Sequence, residues 1–247
     1  MGGTAANNKH AWVRASWKIF LDLLFPPTCR GCGRRGITWC AECQQAVQTL
    51  HDPLCAQCGA PTRSNARLCS QCRHIQPELR SRSYALYRPP ISTAILHLKY
   101  RPNRSVASLM GNWLTTVYQH TGWSATLVIP VPLAPDRLRQ RGYNQAALIS
   151  QAVADQARLE HRPQGLLRIR RTRSQVGLGY AERARNVTGA FAPAAAMDRE
   201  LVLLVDDLYT TGATLRACCQ ACLQAGAAKV YGVTVARAGG RKLPAGS

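Results

Sequence analysis

Residues 201–214 read LVLLVDDLYTTGAT, a run that few folds accommodate. The apolar stretch Leu201–Val205 predicts a strand buried on both faces, the texture of a parallel sheet. Asp206 and Asp207 stand at its carboxyl edge, and a Thr/Gly loop, Thr210–Thr214, opens a helix at Leu215. In parallel α/β sheets, ligands bind outside the carboxyl ends of the strands. Backbone N–H groups at a helix start favour an anion, and threonine hydroxyls add hydrogen bonds. Two adjacent carboxylates would repel a bare phosphate, so they point to ribose hydroxyls or Mg²⁺ beside it. The combination fits a ribose 5-phosphate. Neither G-x-x-x-x-G-K-[ST] nor G-x-G-x-x-G occurs, so this is not a Walker or a dinucleotide loop.

The surrounding segments supply the rest of an α/β domain over residues 84–238. Thr126–Val131 is a short apolar run bounded by proline, as expected of a buried strand, and Lys229–Ala236 is another. Ala94–Leu98, Val106–Tyr118, Gln145–Ala157 and Leu215–Ala225 carry helical patterns. Strand, loop, helix and strand at this spacing form a βαβ unit.

Residues 28–76 have a different character: few aliphatic side chains and four C-x-x-C pairs, Cys29/Cys32, Cys40/Cys43, Cys55/Cys58 and Cys69/Cys72. Such a turn presents two thiolates at the spacing tetrahedral zinc needs. Gly33 and Gly59 follow the second cysteine of a pair, where a knuckle turns through positive φ. Eight ligands imply two zinc ions. Adjacent pairing requires only short closures, but spacing leaves interleaved pairing open. The module reads as a structural clamp or as a ribbon that binds nucleic acid or protein. Cys218, Cys219 and Cys222 lack such spacing and read as core thiols.

Charge narrows the partners. Thirty-two Lys and Arg face twelve Asp and Glu, a formal net charge of +20, which attracts nucleic acid, acidic lipid or phosphorylated small molecules. Residues 1–10 read as a polar tail. Trp12, Val13, Trp17, Phe20, Leu21, Leu24 and Phe25 form a near-helical stripe that ends at Pro26, suited to docking on the protein itself or to peripheral membrane attachment through residues 11–25. No stretch of about 18 apolar residues is present, and residues 1–24 lack a secretory cleavage pattern, so the expected location is cytoplasmic.

The motif VDDLYTTGAT resembles the 5-phosphoribosyl-1-pyrophosphate (PRPP) motif of type I phosphoribosyltransferases. From the Leu-Phe-Pro-Pro before Cys29 to Ala236, the chain resembles the ComF/GntX family of competence and DNA-utilisation proteins. These join a zinc ribbon to a phosphoribosyltransferase-like domain. The resemblance implies the following roles. Asp206 and Asp207 hold ribose hydroxyls, and Thr210, Thr211, Gly212, Ala213 and Thr214 cradle the 5-phosphate. Lys99, within His97-Leu-Lys-Tyr100, contacts phosphate. Arg137 and Arg141, in the segment from Val131 to Gln145, line the pyrophosphate loop. Arg171–Phe191 resembles a lid that closes over PRPP; Leu208 departs from the family's smaller residue. The implied activity is Mg²⁺-assisted transfer of the phosphoribosyl group with release of pyrophosphate, the acceptor being unspecified.

Two features bear on a rival. Residues 162–185 hold seven Arg against one acid, Glu182, and such a loop could close over phosphates or grip a nucleic-acid backbone. A non-catalytic protein that binds single-stranded DNA or DNA-handling partners, with PRPP as regulator, is therefore the alternative; the scarcity of aromatics among the basic residues weakens it as a base-stacking platform. His97 reads as a packed residue.

Overall fold

The computed structural model describes residues 26–63, 66–74, 78–170 and 187–239. The stripe at 11–25, the tail before it and residues 171–186, most of the segment expected to form a lid, lie outside the described residues.

A parallel sheet organises the chain. Its strands are β1 (Arg80–Leu86), β2 (Leu127–Pro130), β3 (Glu160–His161), β6 (Leu201–Tyr209) and β7 (Lys229–Arg237), in the order β1-β7-β6-β2-β3. β4 (Leu166–Arg168) and β5 (Phe191–Pro193) form a separate antiparallel pair. The helices are α1 (Ala41–Gln45), α2 (Ile91–Tyr100), α3 (Arg104–His120), α4 (Pro135–Arg141), α5 (Gln145–Ala157) and α6 (Ala213–Gln224). The expected α/β class, a parallel-sheet domain preceded by a small cysteine-rich module, is the observed one.

The central strands are apolar on both sides because both are covered. On one face Val128, Leu203, Val205 and Val233 pack with α2, α3 and α5; on the other Leu127, Ile129, Val202 and Leu204 pack with α6. At Gly111 of α3 a Cβ would meet that of Ala152 in α5 at 2.5 Å, so these helices touch almost backbone to backbone. The chain leaves β2 through α5 on one face and leaves β6 through α6 on the other. Neighbouring strands whose connections diverge in this way open a crevice at their carboxyl ends, the topological switch point of an open α/β sheet.

The edge strand β1 does not face solvent with unpaired backbone. Ser81 N–H donates to Gln57 O at 2.7 Å, Leu50 N–H to Tyr84 O at 3.0 Å and Leu86 N–H to Gln48 O at 2.9 Å. The cysteine module thus covers an edge that would otherwise template aggregation. Trp39 packs edge-on against Trp113 of α3 at 5.2 Å, and Tyr84 stacks on the same ring at 4.9 Å.

Candidate functional site

The eight paired cysteines gather into two clusters, Cys29/Cys32/Cys40/Cys43 and Cys55/Cys58/Cys69/Cys72. This resolves the pairing as adjacent. Sulfur–sulfur distances are 3.7 Å for Cys29–Cys40, 3.6 Å for Cys29–Cys43, and 3.7 Å for Cys32–Cys40 and Cys58–Cys69. Tetrahedral zinc with bonds of about 2.3 Å sets its ligand sulfurs about 3.8 Å apart, so the thiols fit the ion. Backbone amides support the thiolate form. Although burial opposes it, N–H groups around Cys29 lower its pKa to about 6, and those around Cys55 to about 7. Gly33 and Gly59 have φ of +83° and +67°, as the knuckles require. Cys218, Cys219 and Cys222 are buried core thiols.

At the switch point, β6 continues past the apolar run through both carboxylates to Tyr209. The strand's period of two therefore sends neighbouring side chains to opposite faces. Asp207, 5% exposed, meets Lys99 Nζ from the last turn of α2 at 3.0 Å and accepts from Gln145 Nε2 of α5 at 3.2 Å. Gln145 in turn accepts from Arg141. Asn144 holds this corner: its carbonyl oxygen caps α5 by accepting from Ala146 N–H, and its amide donates to Val131 O, both at 3.0 Å. Arg141, Gln145 and Asp207 thus form a series of three from the arginine segment to the acidic pair, which Lys99 joins from α2. Burial would lower the pKa of Lys99, but Asp207 outweighs it and raises it. Breaking such an enclosed pair strands a charge, a loss of about 3–5 kcal/mol.

Asp206 has a different environment. Burial and the neighbouring Asp207 raise its pKa well above the ordinary carboxylate value, against a 2.8 Å hydrogen bond that it accepts from Asp207 N–H. Asp206 and Asp207 thus sit side by side in unlike surroundings, only Asp207 having a cation within ion-pair distance.

The loop expected to hold phosphate is compact. Gly212, at φ +75°, is the N-cap of α6, which begins at Ala213, two residues before the expected start. Thr211 Oγ1 accepts from Ala213 N–H at 3.3 Å, and Arg216 Nη1 donates to Thr211 O at 3.0 Å. Arg137 and Arg139 are exposed on α4, and Arg141 is half-buried. His97 is exposed, not packed: Leu98 takes the inward position on α2.

Several residues were not singled out from the sequence. Gln145 read as an ordinary helix start. Arg168 in β4 lies 5.5 Å from the Phe191 ring centroid; burial and then the Arg137 charge lower its pKa, while Asp136 and Asp206 oppose this. Tyr209 packs on Gly212. At the far end of the lid segment, Val187, Ala190 and Phe191 are buried in the core.

Among the described residues no group of metal-ligating side chains occurs besides the two cysteine clusters. Asp206 and Asp207 therefore do not fit a resident Mg²⁺ held by protein ligands alone, since Lys99 already occupies Asp207. Likewise, no helix among the described residues is long and apolar enough to cross a membrane.

Fold and site together define a parallel-sheet α/β protein with an acidic pair and a helix-opening loop at its switch point, joined to two tetrathiolate modules. Residues 20–73 match the model of the double zinc ribbon domain. The chain is 31% identical over 197 residues to the DNA utilization protein YhgH of Escherichia coli K12, covering 77% of this chain and 86% of that one. It is 29% identical to competence protein F of Haemophilus influenzae (71% and 80% covered) and 25% identical to competence protein ComFC of Bacillus subtilis (80% and 83%). The chain belongs to this ComF/GntX family. Similar solved structures include the allosteric regulatory enzyme of purine biosynthesis (20% identity, 56% of this chain and 29% of that one, TM-score 0.36) and the Trypanosoma cruzi hypoxanthine phosphoribosyl transferase (16%, 58% and 69%, TM-score 0.33).

Two outcomes are expected. Zinc analysis of the double variant Cys32→Ser/Cys43→Ser should find one ion per chain, because both residues belong to one cluster; interleaved ligands would leave none. For Asp206, a folded-state pKa above the unfolded value near 3.9 means that its contribution to stability is full below that pH and is lost as pH rises through the folded value. Asp206→Asn should therefore be more stable than wild type at neutral pH, by on the order of 1 kcal/mol in urea unfolding, with the advantage vanishing in acid.

Proposed function

We propose that the crevice at the carboxyl ends of β2 and β6 binds PRPP and that the chain transfers its phosphoribosyl group, releasing pyrophosphate, in the service of DNA uptake or use. The observation that carries this reading is the acidic pair at the end of the central strand, next to a threonine-glycine loop that opens α6. The names of the relatives, DNA utilization and competence proteins, supply the process.

In this reading the loop Thr210–Thr214 and the first turn of α6 receive the 5-phosphate, where backbone N–H groups and the helix dipole favour an anion. The ribose lies over Asp206 and Asp207, whose side-chain oxygens accept from its hydroxyls. Arg137 and Arg141 face the pyrophosphate. Lys99 serves it from its place on Asp207, since an ammonium keeps two further donors after making one ion pair. Mg²⁺ accompanies the ligand's pyrophosphate and is not a resident of the protein. In the transfer, the acceptor's lone pair forms a bond to ribose C1 as the bond from C1 to the pyrophosphate oxygen breaks. The cations stabilise charge gathering on the leaving group, and losing one such contact typically costs about 10²–10³ in rate.

The net charge of +20, with Arg34, Arg35, Arg137 and Arg139 exposed, favours a second reading. Here the protein binds single-stranded DNA or DNA-handling partners without catalysis, and PRPP regulates it.

Calorimetry with PRPP, with and without Mg²⁺, separates the two. Mg²⁺-dependent binding by wild type, lost in an Asp207→Asn variant that keeps its circular dichroism, is the expected result. No binding by the zinc-loaded wild type, together with oligonucleotide binding that is indifferent to Asp206→Asn and Asp207→Asn, would transfer the function to the second reading.

A further inference from the structure

Arg237 closes β7 and is 7% exposed. A guanidinium is charged at any accessible pH, so a buried one needs an anion. Among the described residues no carboxylate pairs with it; instead Nη1 donates to Cys58 O at 2.8 Å and Nη2 to Cys58 Sγ at 3.3 Å. A neutral thiol accepts weakly and carries no charge, whereas a metal-bound thiolate supplies both. Arg237 is thus placed for the metal-loaded form of the second cluster, in the manner of outer residues that neutralise a tetrathiolate site.

The same guanidinium lies 4.1 Å from the centroid of the Tyr209 ring, a cation–π contact. Tyr209 also has its carbonyl bound by Ala238 N–H at 2.8 Å. Its phenol covers Gly212: a Cβ built there would stand 2.2 Å from the hydroxyl oxygen and 2.5 Å from Cζ. Only glycine allows this approach, and at φ +75° glycine is also the residue the turn prefers. An unbroken series of contacts therefore runs from Cys58 sulfur through Arg237 and Tyr209 to Gly212, the loop residue that caps α6. Cys55, Cys58 and Cys72 share one core with Tyr209, Ala213 and Leu215, whereas the buried thiols of the first cluster pack separately with Trp39.

We propose that Tyr209 and Arg237 are positioning residues that hold the phosphate-binding loop in place from the second cysteine cluster, so that metal at that cluster raises the loop's affinity for a phosphorylated ligand and metal at the first does not. Without the thiolate, the guanidinium rehydrates and leaves the Tyr209 ring, and the loop must then be ordered by the ligand at the ligand's expense. By linkage, a phosphorylated ligand tightens zinc at the second cluster by the same factor. The ligand half rests on the PRPP reading above; the coupling of cluster to loop stands without it.

Hydrogen exchange on the full-length, zinc-loaded protein tests the coupling. In Arg237→Gln and in Tyr209→Leu, amides of Thr211–Arg216 should exchange about tenfold faster while those of α5 keep their protection. Tyr209→Phe retains the ring and should match wild type, and Cys32→Ser, which breaks only the first cluster, should leave loop exchange unchanged. Calorimetry with PRPP should show affinity about tenfold weaker in Arg237→Gln and Tyr209→Leu only. Unchanged loop exchange in those two variants, or equal acceleration by Cys32→Ser, would overturn the proposal. Should Arg237→Gln fail to fold, Tyr209→Leu decides, since it leaves the Arg237 hydrogen bonds to Cys58 in place. Failure of wild type to bind PRPP would remove the ligand reading, and the exchange data would still decide the coupling.

Discussion

A carboxylate enclosed at the end of a central strand cannot stand alone, and in this chain the need to compensate Asp207 fixes the geometry around it. Lys99 reaches it from α2 at 3.0 Å and Gln145 from α5 at 3.2 Å. Both helices must therefore end or begin at the carboxyl edge of the sheet, which is where the α/β topology opens its crevice. Asn144 caps α5 and ties it to Val131 at the end of β2, and Arg141 reaches Gln145 from α4. Charge compensation at one residue gathers Lys99 and, through Gln145, Arg141 around a crevice whose other side is a helix-opening loop.

The cysteine module participates in this arrangement in two ways. It hydrogen-bonds along β1 and so closes the sheet's open edge. Its second cluster shares a core with α6 and Tyr209, so the metal site and the loop are parts of one packed body. The first cluster, joined to α3 through Trp39 and Trp113, keeps Cys32, Arg34 and Arg35 on the surface. Two modules of similar sequence therefore have dissimilar surroundings: one is built into the domain, and the other presents a basic knuckle.

What could be read from the sequence followed from periodicity and spacing. Helix α5 has the expected bounds, Gln145–Ala157: Asn144 caps its start and Arg158, at φ +56°, turns the chain at its end. The cysteine spacing implied two tetrathiolate sites, but only the fold could show that the pairs join as neighbours. Strand β6 was foreseen through Val205 and runs on to Tyr209, because Asp206 and Asp207 carry the composition of a turn while their backbone stays in the ladder with β7. β1 carries no apolar pattern in the sequence: Arg80, Ser81, Arg82 and Ser83 are polar, yet its inward-facing serines are buried, Ser83 with its hydroxyl on Thr234 at 2.7 Å. The contact of Arg237 with Cys58 spans 179 residues and leaves no local trace, as is general for side chains whose partner is set by tertiary packing.

The central claim is that the end of β6 is a site for a phosphorylated ribose. Amide chemical shifts, followed by nuclear magnetic resonance as PRPP and Mg²⁺ are added to isotopically labelled, zinc-loaded protein, test it most directly. The account predicts that the largest shifts fall on Thr210–Leu215 and on Asp206 and Asp207, with smaller ones at Lys99 and Arg141. Shifts confined to the knuckle around Arg34 and Arg35, or none at saturating ligand, would contradict it.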